Sequence, residues 1–361
     1  MNNRKTSMTN TNNYVLIMAG GVGSRFWPKS RVECPKQFID ILGVGKSFLQ
    51  LTVDRFKNVA PQENIYIVTN EQYRDLVKEQ LPHFTEEQII CEPSRNNTAP
   101  CVAYASFKLF AKNPKANVVV APSDHFILKE DVFVEKIQAV LEFTASNDAL
   151  LTLGITPTRP DTGYGYINYE KADKGEIKKV IRFTEKPKLE KAKEFLISGN
   201  YVWNAGIFIW NVKSALKAFE QYSPEIYELF NAGMGHYNTS SEKVFIDEYY
   251  PASPNISIDY AIMEKADNVY TLPADFGWSD LGTWASLYEV AEKDENQNVS
   301  NSDQILSFEA EGNIIHLPEG KKAVVKGLNN FIVVDDKDVL LIYPKELEQE
   351  IKAVSEQVAS M

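Results

Sequence analysis

The chain has 361 residues, of which 44% are hydrophobic and 24% charged, and its formal net charge is −11. This composition is typical of a globular protein with a sizeable buried core. The negative charge argues against binding to nucleic acid or to an anionic membrane through overall electrostatics, so an anionic ligand must be held by a local cluster of cations.

The beginning of the chain, residues 1–13, is polar and lacks the apolar run of a secretion signal, so we interpret it as a flexible lead. No window approaches the roughly 20 apolar residues of a membrane helix. Cys34, Cys91 and Cys101 lie far apart and form no Cys-x-x-Cys pair, a pattern typical of reduced thiols. We therefore expect a cytoplasmic protein.

Apolar runs and helical patterns alternate in the first third of the chain. Residues 14–20, 64–70 and 117–125 are rich in β-branched side chains and predict buried strands. Residues 47–59 and 98–112 have the apolar spacing of helices. This alternation favours an α/β fold with a mainly parallel, doubly wound sheet, whose ligands bind beyond the carboxyl ends of the strands.

The rest of the chain indicates a change of architecture. Aromatic and turn residues over 161–210 predict further strands and helices on the substrate side, and residues 292–304 form a polar stretch that resembles a boundary. Residues 313–344 then predict short strands, with a hairpin turn at Asp336–Lys337, and residues 345–358 predict a helix.

We accordingly predict a main domain over 14–295. A small C-terminal β-rich domain with a terminal helix is predicted over 303–361.

The segment "GGVGSRFWPKSRVECPKQF", residues 20–38, places four cations directly after a glycine-rich turn: Arg25, Lys29, Arg31 and Lys36. Such a turn after a strand lets backbone N–H groups approach phosphate oxygens closely. An ordinary strand-to-helix turn would explain the glycines but not the cations in an acidic protein. The segment therefore favours an anion site.

Two common phosphate motifs fail here. The dinucleotide fingerprint G-x-G-x-x-G has Phe26 at its third glycine position, and a P-loop ending in "GVGKS" would need glycine where Asp40 stands. We read "GVGKS" as a turn before a helix that starts near Ser47.

The same segment resembles the signature of the sugar-1-phosphate nucleotidylyltransferases, and its W-P-x-S-R…P-K-Q-F form is similar to the mannose-1-phosphate guanylyltransferase family. Further blocks match in order: "EPSRNNTAP" (92–100), "PSDH" (122–125), "GYGYI" (163–167), "FTEKP" (183–187), "WNAGIF" (203–208), "SIDYAIMEK" (257–265) and "GWSDLGTW" (277–284). The chain departs from the family pattern at Asn96 and Ala205. The resemblance implies the nucleotidyltransferase type of Rossmann-like, doubly wound mixed sheet.

The implied reaction transfers GMP from GTP to α-D-mannose 1-phosphate and gives GDP-mannose and pyrophosphate. The attacking phosphate monoester is already ionised near neutral pH, since its second pKa is about 6, so no general base is required. Cations and a divalent metal ion, Mg²⁺ or a similar one, are expected to stabilise the developing charge.

The resemblance also implies roles for individual residues. Arg25 would grip the leaving phosphates and Lys36 the α-phosphate, while Asp124 and Asp280 would ligate the metal. The implied nucleotide contacts are Ala19, Gly20, Gly21, Gly23, Ser24, Arg25, Lys36, Asn97, Thr98 and Pro100. The implied contacts to the sugar phosphate are Gly165, Glu185, Lys186 and Asn204.

Other readings stay open at this point. The chain could act on another sugar 1-phosphate, or it could be a catalytically silent relative that binds nucleotide sugars and regulates a partner. The intact charged set favours the enzyme. GTP and mannose 1-phosphate are the expected partners, a homodimer is left open, and neither nucleic acid nor a membrane is expected.

Overall fold

The computed structural model describes residues 10–21, 23–171 and 175–361, with Ser24 described in its backbone only. Of the predicted flexible lead, residues 1–9 lie outside this part. The chain divides into two compact units, which we call the large unit (the chain up to Gly20, Thr52–Ser123 and Ile127–Trp278) and the small unit (Gly21–Leu51, Asp124–Phe126 and Ser279–Met361).

The strands are, in chain order, β1 (Asn13–Met18), β2 (Ile65–Asn70), β3 (Ile89–Glu92), β4 (Asn117–Pro122), β5 (Phe126–Ile127), β6 (Leu150–Ile155), β7 (Tyr166–Tyr169), β8 (Lys178–Thr184), β9 (Tyr201–Asn211), β10 (Val269–Ala274), β11 (Trp278–Ser279), β12 (Val299–Ser300), β13 (Ile305–Phe308), β14 (Ile314–His316), β15 (Ala323–Lys326), β16 (Phe331–Asp336) and β17 (Val339–Pro344).

The α-helices are α1 (Phe48–Phe56), α2 (Arg74–Gln80), α3 (Thr98–Lys112), α4 (Glu130–Ser146), α5 (Leu189–Ser198), α6 (Val212–Tyr222), α7 (Pro224–Asn231), α8 (Glu242–Tyr249), α9 (Trp284–Val290) and α10 (Ile351–Val358).

A nine-stranded sheet forms the large unit, in the order β3-β2-β1-β4-β9-β6-β10-β8-β7. Strands β3, β2, β1 and β4 are mutually parallel, as the alternation of strands and helices predicts. Strand β9 runs antiparallel to both β4 and β6, which makes the sheet mixed. The predicted α/β, doubly wound mixed sheet is confirmed.

The apolar spacing of α3 explains its place in the core of the large unit. Its side chains are buried from Ala99 to Leu109, and the helix packs against α6 and α7. Tyr104 on α3 stacks on Phe230 of α7 with ring centroids 6.2 Å apart. The helix is thereby fixed in the core of the large unit, and its first turn follows directly after "EPSRNN".

The C-terminal part of the small unit is β-rich and ends in a helix, as predicted. Strands β12, β14 and β16 are parallel, and β16 pairs with β17 in an antiparallel hairpin in which Asp336 lies opposite Val339. Strands β13 and β15 form a second parallel pair. The predicted terminal helix starts later than expected, because Lys345–Glu350 is a 3₁₀ helix.

The core of the small unit joins early and late parts of the chain. Phe26 and Phe48 pack with Trp284, Ile332 and Ile351. The domain boundaries at 295 and 303 stay a prediction, since packing by itself does not show which segments fold independently. In the described part of the chain, no helix is long and apolar enough to cross a membrane.

Candidate active site

The glycine turn of the small unit is shaped by the segment that follows it. Gly23 has φ +60°, and a Cβ at this position would lie 2.7 Å from Cβ of Lys36. The carbonyl of Gly23 accepts a hydrogen bond from Ser30, and that of Gly21 accepts one from Gln37 Nε2 at 2.8 Å. Within the described residues the N–H groups of Gly21 and Gly23 have no acceptor. The turn therefore presents donors, which suits an anion.

Two of the four cations of this segment are used within the protein. Lys29 pairs with Asp336 at 3.4 Å, and Arg31 pairs with Asp338 at 2.7 Å, both on the C-terminal hairpin. Arg25 is exposed and contacts no partner among the described residues. Lys29 and Arg31 therefore have structural partners, whereas Arg25 and Lys36 are the two cations that suit a ligand.

Lys36 is the buried cation of this unit, with only 4% of its side chain exposed. Its Nζ lies 2.9 Å from Asp124 Oδ2 and donates to the backbone carbonyls of Asp280 and Leu281, each at 2.9 Å. A lysine ammonium has three N–H donors, and these three oxygens use all of them. A phosphate oxygen would have to replace one of the three.

The charge of Lys36 decides the ionisation of Asp124. Burial alone would raise the pKa of Asp124, but attraction to Lys36 and to His125, with the hydrogen bond from Lys36, outweighs burial and holds this pKa below its usual range. Asp124 is therefore an anion at neutral pH. Asp280 is partly exposed, and its Oδ1 accepts a hydrogen bond from the Gly282 N–H at 3.3 Å.

These two carboxylates have the chemistry that Mg²⁺ requires. Asp124 is 30% exposed and its ion pair with Lys36 is made through Oδ2, while Asp280 presents a second carboxylate in the same unit. No group of three or more His, Cys, Asp or Glu side chains arranged for a metal occurs in the described part of the chain. Mg²⁺ needs only one or two carboxylates when waters and substrate phosphates supply the rest, so the residues fit this ion.

In the large unit, the end of β1 is held by the neighbouring strand. The Ala19 N–H donates to the carbonyl of Val68 at 2.7 Å, and the Ala19 carbonyl accepts from Thr69 Oγ1 at 3.0 Å. A Cβ on Gly20 would lie 3.6 Å from Glu92 Oε2. Burial raises the pKa of Glu92 to about 7. A carboxyl that titrates near neutral pH therefore lies against the first glycine, a feature that sequence reasoning missed.

The "NNTAP" part of the next block forms the start of α3. Asn97 has φ +68°, is exposed, and caps the helix by accepting from the Thr98 N–H at 2.9 Å. Thr98 Oγ1 accepts from the Ile258 N–H at 2.9 Å, and Pro100 is buried in the first turn. Of these three predicted nucleotide contacts, Asn97 is the most accessible.

Asn96, the first departure from the family pattern, fastens the loop before α3. Its Nδ2 donates to the carbonyl of Ser253 at 2.7 Å and to Ser253 Oγ at 3.0 Å, and its Oδ1 accepts from Ser94. The neighbouring Arg95 donates to the hydroxyl of Tyr73 at 2.8 Å. Both side chains are therefore engaged within the large unit.

The predicted sugar-phosphate residues lie together in the large unit. The backbone N–H of Asn204 donates to the carbonyl of Gly165 at 2.8 Å. A Cβ on Gly165 would lie 2.5 Å from Glu185 Oε2, so a side chain at this position would require Glu185 to move. Glu185 Oε1 pairs with Lys186 Nζ at 2.9 Å, and this hydrogen bond raises the pKa of the exposed Lys186. We call Gly165, Glu185, Lys186 and Asn204 the sugar group.

A further carboxylate, Asp259, belongs with the sugar group. Asn204 Nδ2 donates to Asp259 Oδ1 at 2.9 Å. Burial, and next the negative charge of Glu185, raise the pKa of Asp259 to about 6. Sequence reasoning quoted the block "SIDYAIMEK" without giving Asp259 a role. The available signal was an acidic side chain next to Ile258 near the start of a matched block.

Comparisons with known proteins show the family to which the chain belongs. The family model described as nucleotidyl transferase matches residues 14–297. The chain belongs to this family. The nucleotidyl transferase is 39% identical to the mannose-1-phosphate guanylyltransferase of Salmonella montevideo, over 95% of its own length and 73% of the relative's. It is 36% identical to mannose-1-phosphate guanylyltransferase RfbM of Salmonella typhimurium, over 94% and 71% of the two chains.

A solved structure is also similar along nearly the whole nucleotidyl transferase. The crystal structure of a protein described as mannose-1-phosphate geranyltransferase from Thermus thermophilus aligns with a TM-score of 0.86 and 28% identity. The alignment covers 96% of this chain and 99% of that chain. The family resemblance predicted from the sequence blocks is confirmed.

Within each unit, the fold of this nucleotidyl transferase brings predicted site residues together. In the small unit, Gly23, Lys36, Asp124 and Asp280 come together, while in the large unit the sugar group collects around Asn204. The side chain of Ser24 lies outside the described residues. The functional roles of all these residues stay predictions.

Three of the aromatic residues of β9 are core residues of the nucleotidyl transferase. Trp203, Phe208 and Trp210 are 4%, 2% and 1% exposed. Ala205, the second departure, is also buried, so a hydroxyl at this position would lie in the interior.

Proposed function

We propose that this nucleotidyl transferase transfers GMP from GTP to α-D-mannose 1-phosphate, giving GDP-mannose and pyrophosphate, as the names of its relatives suggest. The observation that carries the proposal is that Lys36 Nζ contacts residues of two other matched sequence blocks, which lie far from it in the chain. Lys36 Nζ lies 2.9 Å from Asp124 of "PSDH" and 2.9 Å from the backbone of Asp280 in "GWSD". A buried cation between two carboxylate-bearing segments suits charge stabilisation in phosphoryl transfer.

The reaction needs little proton transfer. The sugar phosphate oxygen is already ionised near neutral pH and attacks the α-phosphorus of GTP, while the bond to the pyrophosphate breaks. The residues therefore act by binding and by electrostatics. Arg25 would hold the leaving phosphates, the N–H groups of Gly21 and Gly23 would donate to phosphate oxygens, and Lys36 would exchange one protein oxygen for the α-phosphate.

Asp124 and Asp280 would hold Mg²⁺ or a similar divalent cation, which when bound would neutralise phosphate charge. The low pKa of Asp124 keeps this carboxylate ionised and ready to bind a cation. If Asp124 held a cation in place of its ion pair with Lys36, the ammonium of Lys36 would have one donor for a phosphate oxygen. Both assignments rest on residue chemistry and on family resemblance.

The sugar phosphate would be bound by the sugar group. Lys186 is 62% exposed and provides the cation for the phosphate, whereas Glu185 and Asn204 provide hydrogen bonds for ring hydroxyls. Gly165 leaves space next to them. The nucleotide contacts of Ala19, Gly20, Asn97, Thr98 and Pro100 belong to the same proposal.

The experiment is a grid of purified protein with GTP, ATP, UTP and dTTP against mannose, glucose and other sugar 1-phosphates, read as pyrophosphate release. We expect GTP with mannose 1-phosphate to give the highest kcat/KM. Adenine leaves donors and acceptors matched to guanine unpaired, at about 1–3 kcal/mol per buried group. Equal kcat/KM for GTP and ATP would refute the guanylyl assignment. Inactivity with every pair would favour the silent regulatory relative.

The pathway, the cellular location and the partners of the enzyme are part of the same proposal. The reaction would be a step of GDP-mannose biosynthesis, and we expect it to take place in the cytoplasm. A homodimer stays a prediction, as does the expectation that neither nucleic acid nor a membrane is a partner.

A further inference from the structure

The amide of Asn204 is oriented by two neighbours of opposite hydrogen-bonding character. The backbone N–H of Gly206 can only donate, and it lies 3.1 Å from Asn204 Oδ1. The ionised carboxylate of Asp259 can only accept, and its Oδ1 lies 2.9 Å from Asn204 Nδ2. Both neighbours select the same orientation, with the amide oxygen towards Gly206 and the amide nitrogen towards Asp259.

This orientation limits what Asn204 offers a ligand. Its Oδ1 accepts from Gly206 and also from Thr152 Oγ1 at 2.9 Å, which uses both lone pairs. Its Nδ2 has two N–H groups, and one of them is donated to Asp259. Among the described residues, none takes the second N–H. Asn204 can therefore donate to a sugar hydroxyl but has no lone pair left to accept from one.

A hydroxyl that accepts from Asn204 must donate its own proton elsewhere. Glu185 Oε2 borders the space that Gly165 leaves free, on the side where Cβ of Asn204 also lies. Glu185 Oε1 is paired with Lys186, so Oε2 is the oxygen that faces this space. A carboxylate is an acceptor at neutral pH, and it complements the single N–H of the amide.

We infer that Asp259 is a positioning residue for the sugar 1-phosphate, which holds the Asn204 amide with its N–H towards a ring hydroxyl whose own proton goes to Glu185. This inference rests on the proposed function. Without Asp259 the amide loses the acceptor that fixes its nitrogen, and the orientation that binds substrate is selected less strongly. The near-neutral pKa of Asp259 is compatible with this role, since the carboxylate is ionised at pH 7 and above.

The test combines Asp259 variants with mannose 1-phosphate and its 2-, 3-, 4- and 6-deoxy analogues. For Asp259→Ala we expect the KM for mannose 1-phosphate to rise about tenfold, with the KM for GTP within about twofold of wild type. Asp259→Asn should recover most of this loss, because its amide oxygen can accept from Asn204. Glu264→Gln, which removes an exposed carboxylate from the same segment, is the matched control and should behave like wild type.

The deoxy analogues show whether the two residues serve the same hydroxyl. With wild type, removal of one particular hydroxyl from the sugar should lower kcat/KM about tenfold. With Asp259→Ala or Asn204→Ala, removal of the same hydroxyl should lower kcat/KM of that variant by less than about twofold. Equal penalties in wild type and Asp259→Ala would overturn the inference. So would a KM for GTP that rises as much as the KM for the sugar, or an Asp259→Asn variant as impaired as Asp259→Ala.

The proposed function and this inference fail separately. A wild-type protein inactive with mannose 1-phosphate refutes the substrate assignment. The Asp259 series is then run with whichever sugar 1-phosphate the wild type uses best, and the same pattern of KM values decides the inference.

Discussion

Asp124 in the small unit and Asp259 in the large unit are carboxylates of the same kind with opposite shifts of pKa. Burial would raise both values. Attraction to Lys36 and His125 reverses the effect for Asp124, whereas the negative charge of Glu185 adds to it for Asp259, whose pKa is about 6. Burial acts in the same direction on both carboxylates, and the sign of the neighbouring charge decides whether that shift is reversed or increased.

The two groups differ in the ligand that their charges suit. The small unit places one buried ammonium among three oxygens, and a phosphate oxygen or a cation can exchange with them. The sugar group and the neighbouring Asp259 together supply two carboxylates and one exposed lysine, which suits hydroxyl donors and one phosphate. The predictions below change residues of the small-unit group or charged residues that serve as a comparison for them.

The largest effect is expected from Lys36→Ala, which removes the cation that distinguishes the small-unit group. We expect kcat to fall about a hundredfold or more, or about 3 kcal/mol of transition-state stabilisation. Steady-state kinetics at saturating GTP measures this loss, and thermal melting verifies that the variant is folded. Lys29→Ala is the matched control, since Lys29 belongs to the same segment but pairs with Asp336. A folded Lys36→Ala protein with near-normal kcat would remove Lys36 from the chemistry.

Glu92 is a third carboxyl to compare with Asp124 and Asp259. Burial is the largest cause of its raised pKa. Its pKa is about 7 in the folded protein and near its ordinary value when unfolded, so the folded state binds the proton more tightly. Its contribution to stability is present below about pH 4.5 and is lost as the pH rises to about 7. Glu92→Gln should reduce the fall in unfolding free energy between pH 5 and pH 8 by about 2 kcal/mol.

Chemical denaturation of wild type and Glu92→Gln at the two pH values measures this difference. Glu79→Gln, at an exposed position on α2, is the control and should keep the wild-type pH dependence. Parallel profiles for Glu92→Gln and wild type would show that Glu92 does not titrate as described.

A smaller effect is expected at the metal ligands. Asp124→Asn and Asp280→Asn should each raise the Mg²⁺ concentration for half-maximal activity about tenfold, because hard cations need anionic oxygens. A chelator should abolish activity and added Mg²⁺ should restore it. Asp275→Asn, an exposed carboxylate shortly before "GWSD", is the control. Full activity of either variant at low Mg²⁺ would exclude that residue as a ligand.

The smallest effect is expected from Arg31→Ala, which tests the division of the signature cations. Arg31 pairs with the exposed Asp338, so we expect a loss of about 0.5–1 kcal/mol in stability and unchanged kcat and KM. Melting and steady-state kinetics measure both quantities. A fall in kcat comparable to that of Lys36→Ala would mean that Arg31 also serves the ligand.

Much of the local structure could be predicted from the sequence. The strand before the glycine turn, helix α3 and the C-terminal hairpin depend on apolar periodicity and on turn residues, which act over a few positions along the chain. The antiparallel placement of β9 was beyond such reasoning, since strand direction within a sheet depends on pairing between distant segments.

The sequence by itself determined the family and the residue types of the site, because a series of blocks in a fixed order carries that information without any geometry. Only the tertiary structure decided which charges meet. It joined Lys36 to Asp124 and Asp280, assigned Lys29 and Arg31 to the C-terminal hairpin, and placed Asp259 against Asn204. The physical reason is that electrostatic and hydrogen-bonding energies depend on distances of a few ångströms in space, and residues far apart in the chain reach such distances only when the core has packed.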